Sequence, residues 1–254
     1  MSDEAKSNLL KDVQKADGEM EDKNHELEIE AALGSVRSIA MSMNTPDDLL
    51  NICKALFEEL QHLQFGEVRN AIIHTYPEGN NYFIDYDFSD FNKGQISRIP
   101  YSGNPIIEKF VQDIRRSRDA FTEIIITGND LEQWQSFRDA NNEVADDRLS
   151  KISALYYYMY SNGDASIGIS TFNPVPANKQ VVLKRFRNVF DLAYKRYVDI
   201  TNAEARAREA KVEASLERMR AVAMSMNKPG DLLDICETMY REFNSFGFTE
   251  IGMQ

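Results

Sequence analysis

The feature of this sequence that most restricts its fold is a repeat with an offset of 183 residues. Residues 29–67 and 212–250 align without gaps, and 18 of the 39 aligned positions are identical. Both copies contain the string Met-Ser-Met-Asn-x-Pro-x-Asp-Leu-Leu-x-Ile-Cys. Because this offset is far longer than a solenoid period, each copy is expected to belong to a domain of its own. The second copy ends where the first enters its first predicted strand, so we expect one whole domain and the start of another.

Each copy predicts two consecutive amphipathic helices. In the first copy, Pro46 separates the helices, Asn44 or Thr45 is expected as the N-cap, and Asp47 and Asp48 face the positive end of the helix dipole. The apolar positions return every three or four residues, which is the period of one helix face. They are Ile29, Leu33, Val36, Ala40 and Met43, and then Leu49, Ile52, Cys53, Leu56, Leu60 and Leu63.

Between the two copies the pattern becomes that of a β-sheet. Two pairs of β-rich runs are each separated by a turn sequence, and the second turn is Ser161-Asn162-Gly163-Asp164. Strands that arrive as hairpins favour an antiparallel sheet with helices packed against it, so the expected fold class is α+β. The predicted strands cover 68–76, 82–88, 121–127, 153–160 and 165–172, and the predicted helices cover 104–116 and about 129–141.

The chain from residue 178 onward predicts a single helix of roughly 48 residues. Its large apolar residues follow heptad spacing, which is typical of a parallel helix pair, and they predict a homodimer interface. Small residues then continue from Ala203, and the three-residue step from Ile200 to Ala203 is a stammer, which suggests a helix pair that switches register. The alternative is an ordinary terminal helix with a solvated extension. The predicted interface residues are Leu183, Phe186, Phe190, Ala193, Tyr197 and Ile200.

These features resemble those of the GAF domain family, in which an antiparallel sheet has flanking helices and tandem copies are joined by a long helix. The stretch FRNVFDLAYKRYVDITNAEARAREAKVEASLERMRAVAMSM (186–226) is similar to the linker of tandem GAF-like regions in bacterial sensor histidine kinases and adenylate cyclases of Bacteroidetes type. The resemblance implies a dimeric sensory or relay module upstream of an effector domain, with no known ligand or cofactor. It divides the chain into a polar helical lead-in (1–25), a GAF-like sensory domain (26–180), a coiled-coil signalling helix (181–226) and an incomplete second repeat (227–254).

Four aromatic residues are the predicted ligand-binding candidates. Tyr101, Trp134, Tyr156 and Tyr158 combine aromatic surface with polar tips, which suits a small-molecule site. Tyrosines in a strand are also ordinary sheet residues, so both interpretations remain open.

The run YFIDYDFSD (82–90) allows an enzymatic alternative. Asp85 and Asp87 resemble the nucleophile motif of haloacid-dehalogenase-type phosphatases, and Asp146 and Asp147 would supply ligands to Mg²⁺. The competing interpretation places both carboxylates on the solvent face of a half-buried strand. Because the alternating strand–helix units of such phosphatases are missing, we expect no enzyme, no catalytic residue and no metal ligand. The face expected to pack consists of Tyr82, Ile84, Tyr86 and Phe88.

Composition narrows the partners and the compartment. The formal net charge of −12 repels nucleic-acid phosphates and anionic lipid, so neither is an expected partner. No apolar run approaches the roughly 20 residues of a membrane span, and no secretory signal is evident. Cys53 and Cys236 are expected as buried structural thiols in a cytoplasmic protein. The expected function is signal sensing or relay to a kinase or cyclase effector, and the alternative is a ligand-free dimerisation spacer.

Overall fold

The computed structural model describes residues 3–248, with side chains described for Lys15 and for 17–248. The chain forms two compact units, one ending at Tyr197 and the other beginning at Val198. The helices are α1 (Asp3–Met41), α2 (Leu49–His62), α3 (Pro105–Ile114), α4 (Asn129–Ala140), α5 (Ala177–Met224) and α6 (Leu232–Ser245). The strands are β1 (Val68–Thr75), β2 (Tyr82–Phe88), β3 (Gln95–Pro100), β4 (Phe121–Thr127), β5 (Ala154–Ser161) and β6 (Ala165–Thr171).

The six strands form one antiparallel sheet in the order β3-β2-β1-β6-β5-β4. Both predicted hairpins are present, as β1–β2 and β5–β6. Strand β3 is absent from the prediction. It lies at an edge of the sheet, has only six residues without a regular polar–apolar alternation and ends in Pro100. A short strand that ends in proline is typical of a sheet edge and gives a weak sequence signal.

Helices cover both faces of the sheet and bury two separate cores. The helix-layer core joins one sheet face to α1, α2 and α5, and includes Val36, Ile52, Ile73, Tyr158 and Phe190. The cavity-side core joins the other face to α3 and α4, and includes Ile72, Phe83, Phe110, Trp134 and Met159. The predicted α+β class, with an antiparallel sheet flanked by helices, is confirmed.

The face of β2 that carries Asp85 and Asp87 is not a solvent face. Both carboxylates do share one face, and Tyr86 and Phe88 do pack on the other. Yet Asp85 is 9% exposed and Asp87 is 4% exposed. The expectation of a solvated strand face was wrong because α3 and α4, which follow later in the chain, cover it.

The junction between α1 and α2 shows how the repeated sequence folds locally. A 3-10 turn (Pro46–Asp48) precedes α2, and the carboxylate of Asp48 accepts hydrogen bonds from the backbone N–H groups of Asn44 and Thr45 at 2.9 and 2.8 Å. These hydrogen bonds lower the pKa of Asp48. The side chain of Asp48 therefore caps backbone N–H groups that precede the turn, which is one half of a capping box.

The second unit repeats this junction at the same offset of 183 residues. A 3-10 turn (Pro229–Asp231) precedes α6, and the Asp231 carboxylate accepts from the N–H groups of Asn227 and Lys228 at 2.9 and 3.1 Å. Turn and helix bounds both agree with those of the first copy when 183 is added. The sequence repeat is therefore a repeat of local structure.

The two copies differ in burial. Leu49 is 1% exposed and Cys53 is fully buried, whereas the equivalent Leu232 is 54% exposed and Cys236 is exposed. The expected buried thiol is confirmed for Cys53 and wrong for Cys236. The sheet covers α2 in the first unit, while residues 198–248 contain no strand within the described chain.

Over the described residues, no helix combines the length and apolarity that crossing a bilayer requires.

Candidate functional site

A cavity lies inside the first unit, between the sheet and helices α3 and α4. The centres of water molecules can occupy only about 40 Å³ of it, so the cavity is narrow. One water needs roughly 10–15 Å³ by that measure, so the space suits a few waters or a small ligand. Most of the wall is apolar and includes Ile72, Phe83, Ile99, Ile107, Phe110 and Met159.

Alternation along two neighbouring strands brings polar side chains into this apolar wall. His74 on β1 lies opposite Asp85 on β2 in the sheet register, and both line the cavity together with Asp87. Arg69 lines it as well, although its odd position would place it on the other face of β1. The register of β1 against β6 shifts between Val68 and Asn70, and such an irregularity re-aims a side chain.

Both buried arginines near the cavity are already paired with carboxylates. Arg69 Nε donates to Asp146 Oδ2 at 2.9 Å, and Arg138 Nε donates to Glu143 Oε2 at 2.6 Å. All four side chains are less than a tenth exposed. Burial works to raise the pKa of Asp146, but hydrogen bonding from Arg148 and the charge of Arg69 outweigh it and leave the pKa lowered. For Glu143, burial outweighs Arg138 and raises the pKa.

Four polar atoms in the cavity wall are buried without a hydrogen-bond partner. They are Asp85 Oδ1, Asp87 Oδ1, His74 Nδ1 and Trp134 Nε1. His74 Nε2 is 3.1 Å from Asp85 Oδ1, which is within ion-pair distance. Buried groups of this kind are rare and costly, so four around one cavity indicate a site completed by something other than the protein.

The electrostatics of the site follow from this burial. Burial, and then the neighbouring charge of Asp85, raises the pKa of Asp87 to about 7, although Arg69 and a hydrogen bond from Asn70 oppose the shift. Burial also raises the pKa of Tyr157 to about 12, so this phenol stays neutral. The cavity therefore contains a carboxyl group whose pKa lies well above the usual range of an aspartate.

The predicted ligand-binding residues divide between the two faces of the sheet. Trp134 lines the cavity, and Tyr101 stacks behind the wall, with its ring centroid 6.3 Å from that of Phe83. Tyr156 and Tyr158 point to the opposite face, into the helix-layer core. There the Tyr158 hydroxyl accepts a hydrogen bond from the Val175 N–H at 2.9 Å.

The cavity residue of the tyrosine run is Tyr157, which the sequence interpretation missed. Side chains alternate along a strand, so Tyr156 and Tyr158 lie on the opposite face of β5 from Tyr157. Tyr157 lines the cavity, and its ring lies edge-on to Trp134 at a centroid distance of 5.7 Å.

The carboxylates of the phosphatase alternative do not converge. Asp146 is held by Arg69 and Arg148, the latter with an Nε to Oδ1 distance of 2.8 Å, and Asp147 is exposed. Within the described residues, no three or more His, Cys, Asp or Glu side chains are grouped to hold a metal ion. Asp146 is thus unavailable as a metal ligand beside Asp85 and Asp87.

Most of the predicted dimer interface lies within the core of the first unit. Leu183, Phe186, Phe190 and Ala193 are at most 4% exposed and share the helix-layer core with α1, α2 and the sheet. This packing removes the four residues from the predicted interface, because a partner helix cannot contact them. Ile200, in the second unit, is 41% exposed.

Comparison with models of known protein families gives no match, and comparison with curated proteins gives none either.

Proposed function

We propose that this chain is a cytoplasmic sensory and signal-relay module, in which the first unit binds a small molecule and α5 carries the response to an effector domain. The observation that carries the proposal is the narrow cavity with four unpartnered polar atoms in its wall. The GAF-like arrangement and the kinase or cyclase effector are implied by the sequence resemblance.

The composition of the cavity wall supports a ligand rather than a merely imperfect core. Small-molecule sites are mostly apolar and aromatic, with a few convergent polar groups, and groups with shifted pKa values concentrate at such sites. Here Phe83, Phe110, Trp134 and Tyr157 supply aromatic surface, and Asp87 supplies a shifted carboxyl group.

Strand β5 connects the cavity to α5. Tyr157 and Met159 line the cavity, while the residues between and beside them face the helix layer. The hydroxyl of Tyr160 donates to the carbonyl of Gln180 in the first turns of α5 at 3.2 Å. A ligand that displaces β5 would therefore act directly on the start of the long helix, since packed cores transmit small shifts.

The relay further requires α5 to pair with α5 of a second copy. The buried part of the predicted interface cannot do this, so we place the pairing along 200–214, where Ile200 and the alanines that follow are exposed. A ligand-free dimerisation spacer would have the same pairing with an empty or water-filled cavity.

Ligand binding can be tested with the native fluorescence of the full chain, because Trp134 is its only tryptophan. A small-molecule fragment screen should yield compounds that change this emission saturably. Ile99→Phe, which fills the cavity, should abolish binding. Ile96→Phe is the matched control, because Ile96 lies on the same strand and is 44% exposed. Circular dichroism confirms that both variants fold. A compound that binds Ile99→Phe as well as wild type, or a screen without any binder, would contradict the proposal.

The relay is tested separately by disulfide crosslinking in a Cys236→Ser background. Ile200→Cys should crosslink between copies, and saturation with a bound fragment should change its yield relative to Ala203→Cys. Asp199→Cys, on another side of the helix, serves as the control. One fixed crosslinking pattern, with and without ligand, would support the spacer instead.

A further inference from the structure

The buried charges around the cavity do not balance. Four carboxylates, those of Asp85, Asp87, Glu143 and Asp146, face the buried guanidinium groups of Arg69 and Arg138, and Asp146 also accepts from the half-buried guanidinium of Arg148. The two arginines are paired with Asp146 and Glu143 in short, buried hydrogen bonds. Among the described residues, no guanidinium group donates a hydrogen bond to Asp85 or Asp87, and the basic side chain beside Asp85 is His74, whose Nε2 lies 3.1 Å from Asp85 Oδ1.

The two remaining carboxylates are arranged to act together. Asp85 and Asp87 are two residues apart on one strand face, a spacing of about 6.7 Å along the strand. One oxygen of each has no hydrogen-bond partner. The Nδ1 atom of His74, beside Asp85, is also unpartnered. The atoms of the site that are free to bind a ligand are therefore mainly carboxylate oxygens. Such oxygens bind positively charged N–H donors most strongly.

Aromatic rings line the same cavity as these acceptors. The Phe83 ring lies 4.4 Å from the His74 ring and 6.0 Å from the Phe110 ring, and Trp134 lies edge-on to Tyr157. Aromatic faces attract cations, and the apolar wall suits a carbon skeleton. An inorganic cation would leave this wall unused.

We propose that the cavity binds a small organic amine in its ammonium form, with Asp87 and Asp85 as its anionic partners and the aromatic wall around its carbon skeleton. This inference rests on the proposed function, since it assigns a chemical class to the ligand of the same cavity. An anionic ligand is disfavoured because both arginines are already paired.

The protonation of Asp87 gives the binding a distinctive pH dependence. With a pKa of about 7, Asp87 is mostly protonated at about pH 6 and mostly ionised at about pH 8, so the affinity for an ammonium ion should rise about tenfold over this range. The charged and titratable groups around Asp87 are Asp85 on its own strand, Arg69 and His74 on β1, Arg138 on α4, Glu143 after α4, and Tyr157 on β5.

Three probes with the same ring isolate the effect of charge: benzylamine as the cation, benzyl alcohol as the neutral analogue and benzoate as the anion. Each is titrated into the full chain by calorimetry and followed by Trp134 fluorescence. Benzylamine should bind at least tenfold more tightly than benzyl alcohol, and benzoate should not bind. Asp87→Asn should weaken benzylamine at least tenfold and leave benzyl alcohol unchanged, with Asp85→Asn as a second, independent variant. Asp139→Asn, at an exposed carboxylate on α4, should behave as wild type.

Other outcomes separate this inference from the proposed function. Tighter binding of benzoate, or equal binding of benzyl alcohol and benzylamine, overturns the ammonium class while the ligand cavity stands. Binding of none of the three also overturns the ammonium class. The proposed function falls as well only if the fragment screen on Trp134 is negative.

Discussion

Replacing Asp87 with asparagine should make the ligand-free protein more stable at alkaline pH, although it removes a charged residue from the centre of the candidate site. Asp87 is 4% exposed, and one of its oxygens has no hydrogen-bond partner. Asparagine keeps the shape and one acceptor oxygen but cannot ionise. Burying an unpaired carboxylate lowers the stability of the ligand-free protein but provides a partner for the ligand, so removing it should raise stability and weaken binding.

The size of the effect follows from the raised pKa. Asp87 shifts from 3.8 to about 7, and each pKa unit corresponds to about 1.36 kcal/mol, so ionising it in the folded state costs about 4 kcal/mol. Because the folded pKa is the higher one, stability is greatest below the unfolded pKa, falls as pH rises toward the folded pKa and then levels off. Losing hydrogen bonds to the carboxylate costs about 1 kcal/mol. The net gain at about pH 8 is therefore about 3 kcal/mol.

Urea unfolding followed by Trp134 fluorescence measures this difference, because Trp134 is buried beside the cavity. Between about pH 5 and about pH 8, wild type should lose roughly 2–3 kcal/mol more stability than Asp87→Asn. Asp139→Asn, at an exposed position, should retain the wild-type slope. The reasoning is refuted if Asp87→Asn is less stable than wild type at about pH 8, or if the two proteins show the same pH slope.

Three other perturbations probe the same architecture. Gly168→Ala on β6 should destabilise the first unit by more than about 2 kcal/mol in urea unfolding, because the added Cβ would overlap the backbone of β5; normal stability would contradict the strand packing. Arg69→Met should cost about 1.5–3 kcal/mol, because buried Asp146 loses one of its two guanidinium partners and keeps Arg148, and adding Asp146→Leu should restore part of the loss in a double-mutant cycle. A thiol reagent should label Cys236 at once but Cys53 only on unfolding, since Cys53 is fully buried and burial raises its pKa; mass spectrometry of the labelled peptides would reveal early labelling of Cys53.

Most elements of the first unit could be predicted because their signals are local. The strand predicted at 82–88 matches β2, and that at 121–127 matches β4. The hairpin turn at 161–164 and the alternation on either side of it lie within a few residues, so the sequence contains the whole signal. Strand β3 lacks such a local signal, because it is a strand only through its hydrogen bonds to β2 at the edge of the sheet.

The candidate site was predictable only in part. Of the four predicted ligand-binding residues, Trp134 lies in the cavity wall, and the placement of Asp85 and Asp87 on one face followed from their spacing. Arg69 reaches the cavity through a register shift that no local pattern indicates. Tyr157 was missed because the alternation along a strand does not reveal which of its two faces lies toward the cavity.

By itself, the sequence determined the repeat, the α+β class, and which residues share a face of each helix and strand, because these depend on periods of 3.6 and two residues. Only the tertiary structure decided what covers each face. Helices α3 and α4 turned a presumed solvent face into a buried cavity with unpaired carboxylates. Packing of α5 on α1 and α2 placed Phe186 and Phe190 in the chain's own core instead of between two copies. An amphipathic period records that a face is buried, whereas the surface that buries it comes from residues distant in the chain.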